Sequence, residues 1–107
     1  MPLYMVQASY SGPATAAMVK NPQDRAAAIR PMIERMGGKL QDLWLCFGEY
    51  DIVAIAEMPD NVTAAAMAMA IGSSGAMSAY RTTPLITAAD GKKAMKKAGG
   101  VGYLPPK

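Results

Sequence analysis

The chain contains no histidine and a single cysteine among its 107 residues. The lack of histidine excludes His-ligated haem and zinc, the Ser-His-Asp triad and Cys-His nucleophilic catalysis, because each of these requires an imidazole. Cys46 has no second cysteine to pair with, so the chain cannot form an internal disulfide. We therefore expect neither a metal site nor a bound cofactor.

Charged residues are also scarce, at 18% of the chain, which is low for a small soluble monomer. The net charge of +3 comes from the end of the chain, because residues 88–107 hold five lysines and one acid while the preceding residues are nearly neutral. A nucleic-acid-binding protein would more often spread Lys and Arg over a face that also carries aromatic side chains, and no such pattern is present. We expect no nucleic-acid partner, and the low charge hints that another subunit covers part of the surface.

Long apolar runs are missing as well. No segment approaches the ~18–20 apolar residues of a membrane-spanning helix. The residues after Met1 lack the basic segment, apolar stretch and small-residue cleavage site of a secretory signal peptide. The sequence predicts a cytoplasmic protein without a membrane partner.

Turn-forming residues divide the chain into short elements. Apolar segments at 3–10, 39–47, 50–58 and 76–87 predict four strands. A helix is expected after the first strand, with Asn21 as its cap and Pro22 at its first position, and residues 14–21 predict one or two further helical turns. Gly37 and Gly38 should end that helix, and residues 62–71 predict the second one.

The order of these elements is strand, helix, strand, strand, helix, strand. Gly48-Glu49 has the spacing of a tight hairpin between the second and third strands, and Pro84 favours an edge position for the fourth. This order predicts an α+β, ferredoxin-like βαββαβ fold, with a four-stranded antiparallel sheet and both main helices on one of its faces.

The last twenty residues form a separate segment, so we divide the chain into a domain at 1–87 and a C-terminal basic helix and apolar arm at 88–107. Thr87 and Asp90 resemble a capping box for a short helix at 91–98. Beyond the following glycines, Tyr103 and Leu104 are too apolar to remain in solvent. We expect this arm to pack on a neighbouring subunit or over a pocket mouth, with Tyr103 as its anchor.

Alternate side chains of a strand point to opposite faces of the sheet, and both faces of this sheet are apolar. The purely apolar set is assigned to the helix-covered face: Tyr4, Val6, Ala8, Leu43, Leu45, Phe47, Ile52, Ala54 and Ala56. The opposite set includes Met5, Trp44, Val53 and Ile55, and it is too apolar to face water. Two sheets packed face to face would bury it, so we expect a homodimer or a larger homo-oligomer.

The segment FGEYDIVAIAEMPD at 47–60 carries Gly48, Tyr50 and Asp51 in a Gly-x-Tyr-Asp arrangement. Together with the order of elements, this segment resembles the GYD domain family, whose members are small bacterial proteins grouped with dimeric α/β barrels. The resemblance runs from about Pro2 to Thr83. It implies a ferredoxin-like protomer paired as a dimeric α/β barrel, and it implies no particular reaction.

Two interpretations of Asp51 remain open. In the first, Gly48 and Glu49 form a turn, and Asp51 accepts backbone N–H bonds at the start of its strand. In the second, Asp51 lies at the barrel mouth, pairs with Arg81 and acts as a general base that removes a proton next to a carbonyl. The residues expected to bind a ligand beside the candidate catalytic Asp51 are Gln7, Trp44, Glu49, Tyr50, Glu57 and Arg81.

Three functional hypotheses follow from this sequence. The first is an oligomeric barrel that binds a small molecule near the sheet and the Gly-x-Tyr-Asp segment. The second is a cofactor-independent isomerase or monooxygenase-like enzyme that uses Asp51 as its base, which rests on analogy with other dimeric α/β barrels. The third is a purely structural assembly module.

Overall fold

The computed structural model describes all 107 residues and contains one sheet and four helices. The elements follow in the order β1 (Leu3–Tyr10), α1 (Gly12–Lys20), α2 (Arg25–Arg35), β2 (Lys39–Leu45), β3 (Ile52–Glu57), α3 (Asn61–Ser73), β4 (Met77–Leu85) and α4 (Ala88–Ala98). This α+β arrangement is consistent with the predicted ferredoxin-like fold. None of the helices has the length and apolarity needed to cross a membrane.

The four strands form an antiparallel sheet in the order β2-β3-β1-β4. β1 lies between β3 and β4, with Ala8 opposite Ile52 on one side and Gln7 opposite Arg81 on the other. The predicted edge position of β4 is confirmed, and its Pro84 pairs with Tyr4. Because β1 and β3 run antiparallel, the end of β1 and the start of β3 lie at the same end of the sheet.

The core lies between one face of the sheet and the helices α2 and α3. Alternate residues of β1 and β3 are buried there, as the sequence predicts, together with Ile33 of α2 and Met67 of α3. In β2, an irregularity in the pairing at Gln41 lets both Leu40 and Leu43 pack against the core. The nine residues of the buried cluster are Tyr4, Val6, Ile33, Leu40, Ala54, Ala56, Met58, Ala64 and Met67.

The expected burial is wrong at the end of β2. Leu45 is 68% exposed and Phe47 is fully exposed. β2 is an edge strand, so Leu45 has a neighbouring strand on only one side. Phe47 lies beyond the strand, in the connection to β3. The alternating pattern therefore fails for Leu45 because an edge strand is open on one side, and for Phe47 because the strand has already ended.

Side-chain caps explain where the first two helices begin. Asp24 accepts hydrogen bonds from the backbone N–H groups of Ala26 and Ala27, so α2 starts at Arg25. The predicted start at Pro22 is wrong, and Asn21 instead lies at the end of α1. α1 has nine residues, which exceeds the one or two turns expected, because Ser11 caps it and Pro13 fits its first turn.

Two glycines separate α2 from β2, as predicted. Gly37 has a φ of +82°, which side-chain-bearing residues rarely adopt. A Cβ on Gly38 would lie 2.5 Å from the carbonyl oxygen of Glu57, so the backbones of α2's end and β3's end could not approach as they do. The close approach fixes where β2 enters the sheet.

The connection between β2 and β3 is longer than the predicted two-residue hairpin. β2 ends at Leu45 and β3 begins at Ile52, and the backbone N–H of Cys46 donates to the Asp51 carbonyl over 2.8 Å. The intervening residues therefore form a loop closed at its base. Both strands are correspondingly shorter than the sequence pattern indicated.

The chain is less compact than an isolated domain of its size. A folded monomer of 11.2 kDa exposes about 5,700 Å², whereas this chain exposes 7373 Å². Its radius of gyration is 17.1 Å, against about 13 Å for a compact chain of this length. The uncovered sheet face and α4 account for much of the difference, since no residue of α4 is buried.

Candidate functional site

Asp51 precedes β3 and connects it to the end of β1 and to the residue after β2, all at one end of the sheet. Its backbone N–H donates to the Ala8 carbonyl over 2.9 Å, and its carbonyl closes the loop at Cys46. Its carboxylate oxygen Oδ2 accepts a hydrogen bond from the backbone N–H of Tyr10, also over 2.9 Å. Asp51 thus has the geometry of a backbone acceptor at the start of a strand, while Oδ1 has no hydrogen-bond partner within the chain.

The residues before Asp51 are also fixed mainly through their backbone. The Cys46 thiol donates to the Tyr50 carbonyl over 3.1 Å, and the Ser9 hydroxyl donates to the Glu49 carbonyl over 3.0 Å. The side chain of Glu49 is exposed and that of Tyr50 is half-buried. Among the Gly-x-Tyr-Asp residues, Asp51 is therefore the one whose side chain makes a hydrogen bond to another strand.

A cleft of about 400 Å³ lies beside Asp51. One wall comes from the ends of β1 and β2 with the Asp51 loop, and the other comes from α1, the start of α2 and the linker between them. Half of the lining residues are apolar. The lining consists of Tyr10, Thr15, Met18, Val19, Pro22, Gln23, Arg25, Leu45, Cys46 and Asp51.

Arg25 supplies a positive charge to this cleft. Its Nη1 donates to the side-chain oxygen of Gln23 over 2.7 Å, whereas its Nε is shielded from solvent and has no hydrogen-bond partner. The one ion pair in the structure joins Lys93 to Asp90 at 3.7 Å. Arg25 and Asp51 therefore line the same cleft without neutralising each other at contact distance.

The other predicted ligand-binding residues lie elsewhere. Trp44, Gln7 and Arg81 occupy one row across the uncovered sheet face, connected through Val53. Glu57 lies near the opposite end of β3, and none of these side chains lines the cleft. The predicted pairing of Asp51 with Arg81 is wrong, because Asp51 turns to the Tyr10 amide instead.

A second, smaller cavity of about 40 Å³ lies between the sheet and the helices α2 and α3, and all thirteen residues that line it are hydrophobic. Tyr80 lines this cavity, and its hydroxyl is shielded from solvent without a hydrogen-bond partner. Burial raises the pKa of Tyr80 above its usual 10.0, and the neighbouring Thr82 hydroxyl lowers it by a smaller amount. The two hydroxyls are close, yet they do not meet hydrogen-bond geometry.

The sequence interpretation missed the cleft residues Arg25, Gln23 and Tyr10. Topology offered a signal for them, because in this fold the exit of β1, the start of the first main helix and the loop between β2 and β3 share one edge of the sheet. The predicted start of α2 at Pro22 concealed that signal, because it placed Arg25 at the fourth helical position rather than at the first. No group of three or more acidic or cysteine side chains lies close enough together to hold a metal ion.

Comparison with known proteins identifies the family to which the chain belongs. No curated protein matches the chain. The model of the GYD domain matches residues 4–95. The match covers the sheet except for Leu3 and extends into α4, beyond Thr83, where the resemblance is expected to end. With the Gly-x-Tyr-Asp segment inside the match, and with most of the chain covered by it, the chain belongs to the GYD domain family.

Proposed function

We propose that this GYD domain protein is an oligomeric small-molecule-binding protein whose ligand occupies the Asp51 cleft. The observation that carries the proposal is the cleft itself. Its volume of about 400 Å³ falls within the ~300–1,000 Å³ of typical ligand sites. Its lining combines apolar side chains with a few polar groups, among them a carboxylate oxygen that no group of the chain occupies.

The assembly part of the proposal rests on the uncovered sheet face. Met5, Val53 and Ile55 are half-buried there, and Trp44 is 51% exposed, with no helix above them. Covering apolar area stabilises an assembly by about 25 cal/mol per Å². A homodimer with its sheets face to face would cover this surface and form a dimeric α/β barrel. Gln7, Trp44, Glu57 and Arg81 would then lie between the sheets, where their predicted role in ligand binding can be tested.

The geometry of Asp51 also favours a second candidate, a cofactor-independent enzyme. The Tyr10 amide orients the carboxylate through Oδ2, and Oδ1 is left to accept a proton from a bound molecule. The third candidate, a structural assembly module, requires Asp51 only as a link between strands. Binding and turnover assays on one variant separate these three roles.

The test is Asp51→Asn, with Glu34→Gln on the outer surface of α2 as the charge-matched control. The amide oxygen can still accept the Tyr10 N–H, so the free energy of unfolding should fall by only about 1 kcal/mol. A thermal-shift screen of small metabolites against the wild type should identify compounds that raise its Tm. Those compounds should fail to raise the Tm of Asp51→Asn and should still stabilise Glu34→Gln.

Equal stabilisation of Asp51→Asn by the same compounds would reduce Asp51 to a turn acceptor. If no compound raises the wild-type Tm, the binding function itself is contradicted and the assembly module is favoured. Conversion of a stabilising compound by the wild type and not by Asp51→Asn would establish the enzymatic candidate.

A further inference from the structure

Arg25 is a cation of the cleft wall that no carboxylate of the chain pairs with. Its side chain is half-buried in the cleft wall, and of its donors only Nη1 has an acceptor, a neutral amide oxygen. Its Nε–H is cut off from both solvent and acceptors. The contact between Nη1 and Gln23 is exposed, so the guanidinium end stays open to a ligand in the cleft. A guanidinium without a carboxylate partner can bind an anion there.

Two acids, the cleft residue Asp51 and the helix cap Asp24, accept backbone hydrogen bonds rather than pair with Arg25. Asp24 precedes Arg25 in the chain, yet its carboxylate caps α2 by accepting from the Ala26 and Ala27 amides. Asp51 is fixed to the Tyr10 amide, and neither acid lies within 4.0 Å of the guanidinium. The cleft therefore holds a positive and a negative side chain that are oriented by other groups and kept apart.

Apolar side chains form half of the cleft lining. Met18, Val19 and Pro22 line it on the helix side, and Leu45 lines it on the sheet side. Val19 is 76% exposed and Leu45 is 68% exposed, so both present apolar surface to whatever enters. Apolar walls with a few fixed polar groups bind the body of a ligand by burial and set its orientation by charge.

We propose that the ligand class of this cleft is a small organic acid with an apolar body and a hydrogen-bond donor near its carboxylate, such as a 2-hydroxy or 2-amino acid. The inference rests on the proposed function and specifies its ligand. The guanidinium of Arg25 binds the carboxylate, since its planar fork fits that group. Asp51 Oδ1 accepts a hydrogen bond from the hydroxyl or ammonium group of the ligand, and the apolar side chains contact the ligand body.

The experiment uses the ¹⁵N-labelled full chain and three probes: mandelate, mandelamide and phenylacetate. Mandelate carries all three features, mandelamide lacks the negative charge, and phenylacetate lacks the donor. NMR titration should show mandelate shifting the amide signals of Tyr10 and Cys46 and the side-chain Nε–H of Arg25. Mandelamide should bind at least about tenfold more weakly, and phenylacetate should bind with intermediate affinity.

Arg25→Gln should abolish the preference for mandelate over mandelamide, while Arg35→Gln, the same change at the exposed end of α2, should preserve it. Arg25→Lys keeps the charge without the planar fork and covers the case in which Arg25→Gln does not fold. It should retain a reduced preference for mandelate.

Equal affinity for mandelate and mandelamide, or an unchanged preference in both Arg25 variants, would overturn the assignment of an acid and leave a ligand-binding cleft in place. Absence of binding by all three probes, combined with stabilising compounds of another class in the thermal-shift screen, would also overturn it. If neither the probes nor the screen gives a ligand, the proposed binding function fails together with this inference.

Discussion

Single residues at the end of the sheet that carries the loop between β2 and β3 connect local structure to the candidate site. Asp51 shows this most directly, because one oxygen of its carboxylate joins β3 to β1 and the other remains free beside the cleft. A backbone-acceptor role and a ligand-binding role are thus compatible in one side chain. The sequence alone presents these roles as alternatives, and the geometry explains why a carboxylate can stand directly before a buried strand.

Tyr80 provides a prediction at this scale. Burial raises its pKa, so the folded protein holds the phenolic proton more tightly than the unfolded chain does. The resulting stability is present below about pH 10 and is lost as the pH rises through the folded-state pKa. Tyr80→Phe should therefore shift alkaline unfolding to higher pH, as measured by circular dichroism during a base titration.

At neutral pH, the same variant should change the free energy of unfolding by less than about 1 kcal/mol, because the hydroxyl it removes has no hydrogen-bond partner. A loss of several kcal/mol in Tyr80→Phe would show that its hydroxyl is hydrogen-bonded in solution.

At the scale of elements, the uncovered face of the sheet gives the clearest prediction. Val53 lies at its centre, flanked by Gln7 on β1 and Trp44 on β2. Val53→Asp would place a charge in the proposed contact between sheets, where desolvation without a partner is costly. We expect this variant to be monomeric or insoluble at micromolar concentration, whereas the wild type should be a dimer or larger by light scattering.

Val62→Asp provides the control, because it makes the same substitution at an exposed position in the first turn of α3. An acid near a helix N-terminus is favourable, so this variant should keep both its stability and its assembly. A soluble Val53→Asp protein with the mass of the wild-type assembly would remove this face from the interface.

The elements that could be predicted from the sequence are those whose apolar residues recur at regular intervals. Alternation in β1 and β3 correctly identified their buried faces, since each strand has neighbours on both sides and a helix layer above it. The pattern failed where local hydrogen bonds override it. Asp24 rather than Asn21 caps α2, and the closure of Cys46 on Asp51 makes a loop where a tight hairpin was expected.

The candidate site was less predictable than the fold for the same reason. Asp51 was identified because an acid before an apolar run is unusual in the sequence itself. Arg25 became visible only through the exact start of α2 and through an Nε that the fold shields from solvent. Such a feature depends on three-dimensional packing between a helix and a loop, and no period in the sequence encodes it.

At the scale of the whole molecule, the dimensions of 57 × 35 × 22 Å describe an elongated chain rather than a compact domain. The C-terminal segment is the most exposed part. Met95 of α4 is 74% exposed, and Leu104 of the arm is 88% exposed. Both are large apolar side chains that remain in solvent unless another molecule covers them. The arm does not line the Asp51 cleft of its own chain.

Because the arm is exposed and does not line the cleft, we expect it to pack on a neighbouring subunit rather than over the pocket of its own chain. Tyr103 would be the anchor, because an aromatic ring buries a large area for little loss of side-chain entropy. Ending the chain at Ala98 should therefore lower the Tm or reduce the mass of the assembly, and Tyr103→Ala should produce part of the same effect. Ending the chain at Leu104 is the control, since it keeps the apolar residues of the arm and should behave as the full-length protein. If the chain ending at Ala98 keeps the Tm, mass and ligand affinity of the full length, the arm contributes nothing to assembly and Tyr103 is simply exposed.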